Sequence, residues 1–423
     1  MKIALTGVTG FRNRGVEALV VTTIEQFLKR VPEAEIIVAT WSPEYDQERF
    51  PHPQVTYVYD SFLENGKWVL NYNFQIIKEP LLRRIIRYGL IIFKIRKEKP
   101  VNRFKYQMPF EDVDLVVVSG GDLFSSVYGA SSLMHSAEPV FWAKERGIVC
   151  AMIGQTIGEF SNSTDKDIWT EIEQSADFIT LRDTVSLDYL KNDFPSSTFP
   201  YFCSVDSAFL LEYSNLIGIQ KKEMLKKSYV AISVSYSMAL YTNSERNRRF
   251  EIWIEIIQMI LNEWNQNVVL ITHVQEKYSD DRVIASQLWR SLNFDSRVNV
   301  CGEDLSASEF KSIISNSELV IAERMHAAIA GFSSGVCTIP VSYSIKSQGL
   351  AQVVFDDSKV ISYKDVVLTE QDFENSNLLK EKIANIWIKR ELIGRDIQER
   401  LPKLQSKASE SFDFIYNMVK YNN

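Results

Sequence analysis

The sequence predicts an α/β protein built as two Rossmann-like halves followed by a helical tail. Three observations carry this. Short runs rich in Val, Ile and aromatic residues recur along the chain, with helically spaced stretches between them. Several of these runs are apolar without polar alternation, which suits parallel strands covered on both faces. The pattern also stops and restarts: residues 215–228, NLIGIQKKEMLKKS, are polar and Lys-rich, and strand-like text resumes behind them as if from a new first strand. At 423 residues the chain is too long for one ordinary core. The expected division is 1–220, then 221–385, and a tail over 386–423.

In chain order, the first half offers strands over 2–7 (KIALTG), 35–41, 55–60, 114–122 (DLVVVSGGD), 148–156 and 178–183. The second offers 229–236, 267–274 (NVVLITHV), 298–304, 318–324 (ELVIAER) and 338–344 (TIPVSYS). Residues 15–31 read as a helix, and within 249–266 Ile252, Ile256, Met259, Ile260 and Trp264 recur at helical spacing. From about residue 380 two helical patterns follow, KEKIANIWIKRELI and SFDFIYNMVKY. By analogy with other two-lobed α/β proteins, such a tail packs back on the first lobe. The chain shows no internal repeat.

A net charge of −7 argues against a general nucleic-acid binder. The N-terminus, MKIALTGVTG, lacks the long apolar core of a signal peptide and reads as a first strand. No uninterrupted apolar run is long enough to span a bilayer. Cys150, Cys203, Cys301 and Cys337 are scattered and form no CxxC pair, which fits reduced, largely buried thiols in a cytoplasmic protein. With four dispersed histidines, no metal-ligand cluster stands out. One segment departs from the acidic background. Over 80–105, Leu82, Ile85, Ile86, Gly89, Leu90 and Phe93 share a helical face, while Arg83, Arg84, Arg87 and Lys94 lie largely off it. This suits a helix packed on its own domain with a solvated basic face. It suits equally a peripheral contact with anionic lipid on the inner face of the membrane, or with a lipid-linked pyrophosphate.

Several strand ends carry candidate chemistry. The first loop, GVTGFRNRGVEAL, has no GxGxxG and no GK[ST], so the usual nucleotide fingerprints are absent. Around Asn13 it offers either a glycine-dependent turn or backbone N–H groups for an anion or a sugar hydroxyl. SGGDLFSS places Gly120, Gly121 and Asp122 at a strand end, where Asp122 serves as a ligand-facing carboxylate or as a helix cap. Arg182 sits among apolar residues and needs a partner, either structural (Asp183 or Asp206) or an anionic substrate. Asp206 would orient Arg182 or a hydroxyl. His273 ends a strand, and a lone histidine there is more often structural; His52 and His135 have no persuasive context. In ELVIAERMHAAIAGFSSG a strand enters an Ala-rich helix. If the junction stays extended, Arg324 and His326 point to one side, and the next strand delivers Tyr343 and Lys346 to the same edge. Three cations with only Glu323 to neutralise them would favour a small, multiply charged anion. His326 is the group suited to proton transfer near neutral pH, and a buried, backbone-satisfied histidine is the plainer alternative.

The sequence resembles the polysaccharide pyruvyl transferase family. The most specific block is Arg324, His326, Gly335, Tyr343, Lys346 and Gly349. Asn13, Gly15, Glu17, Ala18, Leu19, Gly120, Gly121, Gly154, Arg182, Ser186, Leu190 and Asp206 extend the likeness over roughly residues 1–350. Val16 stands where that family usually carries Asp, Asp122 lies in the glycine-rich turn, and Cys337 holds a place often taken by Pro. The resemblance implies a glycosyltransferase-B-like pair of Rossmann-like domains with a cleft between them, phosphoenolpyruvate as donor on the 221–385 half and the acceptor on the 1–220 half. The product would be a sugar bearing a pyruvate ketal across two hydroxyls, with a glycan acceptor that is lipid-linked, nucleotide-linked or polymeric. In this reading Arg182, Arg324 and Lys346 clamp the donor's two anionic ends, Tyr343, Asn13, Gly120, Gly121 and His273 help bind substrate, His326 supplies the proton, and Asp122 or Asp206 accepts hydroxyl protons. The chemistry calls for no metal or organic cofactor. The competing expectations are a nucleotide-sugar glycosyltransferase on the same fold and a non-catalytic glycan-binding module.

Overall fold

The computed structural model describes residues 1–60, 108–214, 227–235, 246–277, 279–342 and 345–422. The basic segment at 80–105 and Tyr343 lie outside the described residues, as does the side chain of Lys346. Two compact units divide the chain. The first comprises Met1–Gly10, Thr23–Ser204 and Ser409–Asn423, and the second Phe11–Thr22 and Val205–Ala408.

The first unit carries β1 (Lys2–Val8), β2 (Glu35–Thr40), β3 (Val55–Tyr59), β4 (Leu115–Val118), β5 (Gly121–Phe124), β6 (Val149–Ile157), β7 (Phe178–Leu181) and β8 (Phe202–Cys203). Their order is β3-β2-β1-β4-β6-β7-β8, with β5 alongside β6, and the pairings are parallel. Every residue of β4 is buried, as the unalternating LVVV requires of a strand covered on both faces. The run 114–122, expected as one strand, is two. The chain breaks at Ser119–Gly120 and resumes at Gly121, whose φ of 138° strongly favours glycine.

The second unit carries β9 (Tyr229–Ser233), β10 (Asn267–Ile271), a small hairpin of β11 (Gln275–Glu276) and β12 (Ser279–Asp280), then β13 (Val298–Cys301), β14 (Leu319–Ala322), β15 (Thr338–Ser342) and β16 (Leu368–Thr369). The sheet order is β13-β10-β9-β14-β15-β16. This is the doubly wound Rossmann arrangement, in which the winding direction reverses between β9 and β14.

The division falls at Ser204/Val205 rather than at residue 220. Local bonds explain why. Lys311 Nζ donates to the Leu211 carbonyl at 2.5 Å and Ser312 Oγ to the Ser214 carbonyl at 2.8 Å, tying 205–214 to the second unit. The two helical stretches expected in the tail are one helix, Ser376–Asn422, which runs through Pro402. Its end belongs to the first unit. There Arg30 Nε pairs with Asp413 at 2.8 Å and Phe412 meets Phe27 edge-on at 5.5 Å.

Candidate active site

Ligands of open α/β sheets bind at the carboxyl edge, where the winding reverses. In the second unit that point lies between β9 and β14. Beyond β14 the chain runs through Glu323 and Arg324 into the helix Met325–Phe332. Arg324 holds the N-cap position with extended backbone and makes no side-chain capping bond. The helix therefore presents its first N–H groups and the positive end of its dipole at the switch point, an arrangement suited to an anion. His326 stands in that first turn.

Two neighbours fix the His326 ring. A Cβ on Gly15 would lie 2.2 Å from His326 Nδ1, so only a glycine leaves room for the imidazole. Asp206, 1% exposed, places Oδ2 3.9 Å from His326 Nε2, while its Oδ1 accepts from the Ala208 N–H at 2.9 Å. Gly15 is held in turn because its N–H donates to Asn13 Oδ1 at 3.0 Å. The surrounding loop pairs like a strand: Arg14 N–H donates to the His273 carbonyl at 3.0 Å, and Gln275 N–H to the Arg12 carbonyl at 2.9 Å. Arg14, fully buried, locks this loop through Glu17 at 3.3 Å, Gln275 Oε1 at 3.3 Å and Asp304.

Arg324 forks onto Asp281, with Nε 3.0 Å from Oδ2 and Nη2 2.7 Å from Oδ1, and reaches Ser279 Oγ at 3.0 Å. Asp281 is fully buried and also accepts from the Val274 N–H at 3.0 Å. Nearby, burial raises the proton affinity of Glu276, partly opposed by Arg324. The expectation of cations offset only by Glu323 is thus corrected. Asp281 pairs with Arg324 and orients it, Asp206 faces His326, and Glu323 points elsewhere. Its carboxylate accepts from Arg249 Nε at 2.9 Å, Trp253 Nε1 at 3.0 Å and the Ser235 N–H at 2.6 Å, joining the ends of β9 and β14. The extended junction is also corrected. The chain turns helical at Met325, so Arg324 and His326 meet different carboxylates instead of sharing a side by alternation.

His273 is 3% exposed. Burial lowers its proton affinity well below the ordinary histidine value, and His326, Arg14 and Arg324 lower it further. Its backbone carbonyl anchors the loop through the Arg14 N–H. Cys337 is likewise buried, its thiol pushed up to about 12 by burial, and it acts as a small core residue.

The other candidates lie in the first unit. Arg182, 6% exposed, follows β7, and its Nε donates to Thr156 Oγ1 at 2.8 Å. Thr156 Oγ1 donates to Asp183 at 2.7 Å, and Asp183 caps the helix Thr184–Asp193 through the Ser186 N–H. Gly120 and Gly121 join β4 to β5. Asp122 is not a helix cap: it accepts from the Tyr128 hydroxyl at 2.9 Å, and Ser125 precedes the next turn. Sequence reasoning gave Arg14 no role beyond flanking Asn13 and missed Asp281 and Asp304. Asp281 and Asp304 pair with arginines distant in sequence, and the signal was that charges so close to apolar strands need counter-charges.

A family model described as polysaccharide pyruvyl transferase matches residues 13–345. Among solved structures, UDP-GlcNAc 2-epimerase from Neisseria meningitidis bound to UDP-GlcNAc is similar at TM-score 0.57 and 11% identity, covering 100% of both chains. A ugt transferase from Siraitia grosvenorii in complex with UDP is similar at TM-score 0.55 and 9% identity, covering 99% of each. At such identities the likeness establishes the fold, two Rossmann-like units of the glycosyltransferase-B-like kind with a C-terminal helix. Among the described residues, no helix is long and apolar enough to cross a membrane. With most of its length matched by that one family model, the chain belongs to the polysaccharide pyruvyl transferase family.

Proposed function

We propose that the enzyme moves the enolpyruvyl group of phosphoenolpyruvate onto two hydroxyls of a sugar in a cell-surface polysaccharide or its precursor, closing a pyruvate ketal and releasing phosphate. One observation carries this reading. The uncapped N-terminus of the helix Met325–Phe332 stands at the switch point of the second sheet, with His326 in its first turn and Asp206 3.9 Å from the imidazole. The helix end suits an anionic group of the donor. The imidazolium gives its proton to the methylene carbon, which becomes the methyl. Asp206 stabilises the charged ring before transfer. A sugar hydroxyl attacks the cation at C2, phosphate departs, and the neighbouring hydroxyl closes the ring. Of the two hydroxyl protons, one replaces that lost by His326 and the other leaves on phosphate. Arg324, oriented by Asp281, supplies positive charge for an anionic end of the donor, and the donor-binding roles of Arg182 and Lys346 rest on the family resemblance. No residue of this scheme calls for a metal or organic cofactor.

The test is incubation with phosphoenolpyruvate and a panel of glycan acceptors. Phosphate release together with a new ketal methyl resonance supports the reading. Release of a nucleoside diphosphate from a sugar nucleotide, with phosphoenolpyruvate untouched, contradicts it.

A further inference from the structure

Within the second unit, the long helix Ser376–Asn422 buries Leu379, Ile383, Ile386, Ile393 and Ile397. These positions recur at helical spacing and define one inward face. At 3.6 residues per turn, the middle of the opposite face falls on Ile388. That outward face should be polar. Instead Ile388 is 75% exposed, and Leu392, one turn along, is 48% exposed. The charges beside them are arranged about Ile388. Glu381 stands seven residues before it and Arg395 seven residues after it, each two turns away on the same face. Both are exposed. Among the described residues Glu381 has no ion pair, and Arg395 Nε reaches the Glu391 carbonyl of its own helix at 3.4 Å. The face is therefore apolar at its centre, negative at one end and positive at the other.

We propose that this face is the contact between two copies of the chain, joined antiparallel about a twofold axis at Ile388. In such a contact each position before the axis meets the position equally far beyond it on the partner. Ile388 then meets the partner's Ile388, Leu392 covers the partner's Ala384, and Glu381 meets the partner's Arg395. The pattern is its own complement only when the second helix runs in reverse. A parallel pair would set Glu381 against Glu381 and Arg395 against Arg395, and like charges in register oppose association. The match of one end of the helix to the other is what singles out a second copy over an unrelated protein, whose surface has no reason to mirror these charges. From Glu381 to Arg395 the helix runs about 21 Å, so the contact is small and the dimer dissociates in the micromolar range.

The test is analytical sedimentation of the full chain over about 1–100 µM, with circular dichroism to confirm folding. The native chain shows a monomer–dimer equilibrium. Ile388→Glu, at an exposed position, stays monomeric at every concentration. Glu381→Arg and Arg395→Glu each weaken the dimer at least about tenfold, and the two together restore it to within about threefold of native. The double exchange keeps the composition of the face, so it carries the test if a single variant does not fold. Oxidation of Ile388→Cys links two chains at the axis, whereas Leu378→Cys, about 30 Å from its counterpart across the axis, does not link. A native chain that is monomeric throughout, a dimer that Ile388→Glu leaves intact, a double variant no tighter than the single ones, or linkage through Leu378→Cys in place of Ile388→Cys overturns the proposal.

Discussion

The two sheets share one winding, yet their carboxyl edges are secured by different means. In the second unit the edge is held by ion pairs that each have at least one buried partner: Glu323 with Arg249, Asp281 with Arg324, and Arg14 with Glu17 and Asp304. In the first unit the corresponding edge carries charged groups too, the Asp60–His135 pair and Arg182 with Asp183 through Thr156, but adds a neutral network. Gln155 Nε2 donates to the carbonyls of Ser119 at 2.8 Å and Val118 at 3.3 Å, and the Gly154 N–H donates to Thr180 Oγ1 at 2.6 Å. Buried ion pairs aim charged groups in fixed directions but are costly to break, because the survivor is left desolvated and alone. Neutral networks cost less to disturb. The comparison teaches that one winding can be secured at its carboxyl edge by ion pairs alone or by ion pairs together with backbone and amide bonds.

The largest expected effect is on stability. Glu323→Ala leaves Arg249 buried without its carboxylate and should cost about 3–5 kcal/mol. Gln155→Ala should cost only about 1–3 kcal/mol. Urea unfolding of both variants gives the two values, and a costlier Gln155→Ala would break the contrast.

The glycines sharpen it next. Gly15→Ala puts a methyl where the His326 ring stands, so the imidazole must move. Displacement on the scale of an ångström costs on the order of a hundredfold in rate. Gly121→Ala, by contrast, meets no close atom but forces alanine to φ 138°, which costs stability of about 1–3 kcal/mol. Assay and denaturation run together on both variants separate the cases. Equal stability loss with unchanged turnover in Gly15→Ala would show that the ring position is unimportant.

The smallest effect is a pH dependence. His273 has its folded proton affinity lowered by burial, so the unfolded chain binds the extra proton first. Its contribution is fully present above about pH 6.5 and is lost as pH falls below that value toward its depressed folded pKa. His273→Asn should flatten the stability profile over that acidic range, and an unchanged slope would remove His273 from the explanation.

These contrasts also explain what the sequence revealed. The strands were legible because buried parallel strands such as LVVV and YVAIS admit almost no polar residue. Arg324 and His326 were legible because charged and titratable residues rarely follow a buried strand without reason. The direction each side chain takes was not legible. It depends on where the strand ends, and Met325 begins a helix one residue after Arg324. Glu323 looked superfluous in the chain because its partners, Arg249 and Trp253, lie some seventy residues earlier. Separation along the chain likewise hid Asp281 from Arg324, and it hid Asp60 from His135, a histidine without evident context until the two met at 3.3 Å.

The most direct test of the account concerns His326. Turnover of phosphoenolpyruvate with a competent acceptor, and calorimetric affinity for phosphoenolpyruvate alone, should be measured for the native protein and for His326→Gln. The account predicts donor affinity close to native and a rate at least about a hundredfold lower, as removal of a general acid produces. Near-native turnover in His326→Gln would contradict it.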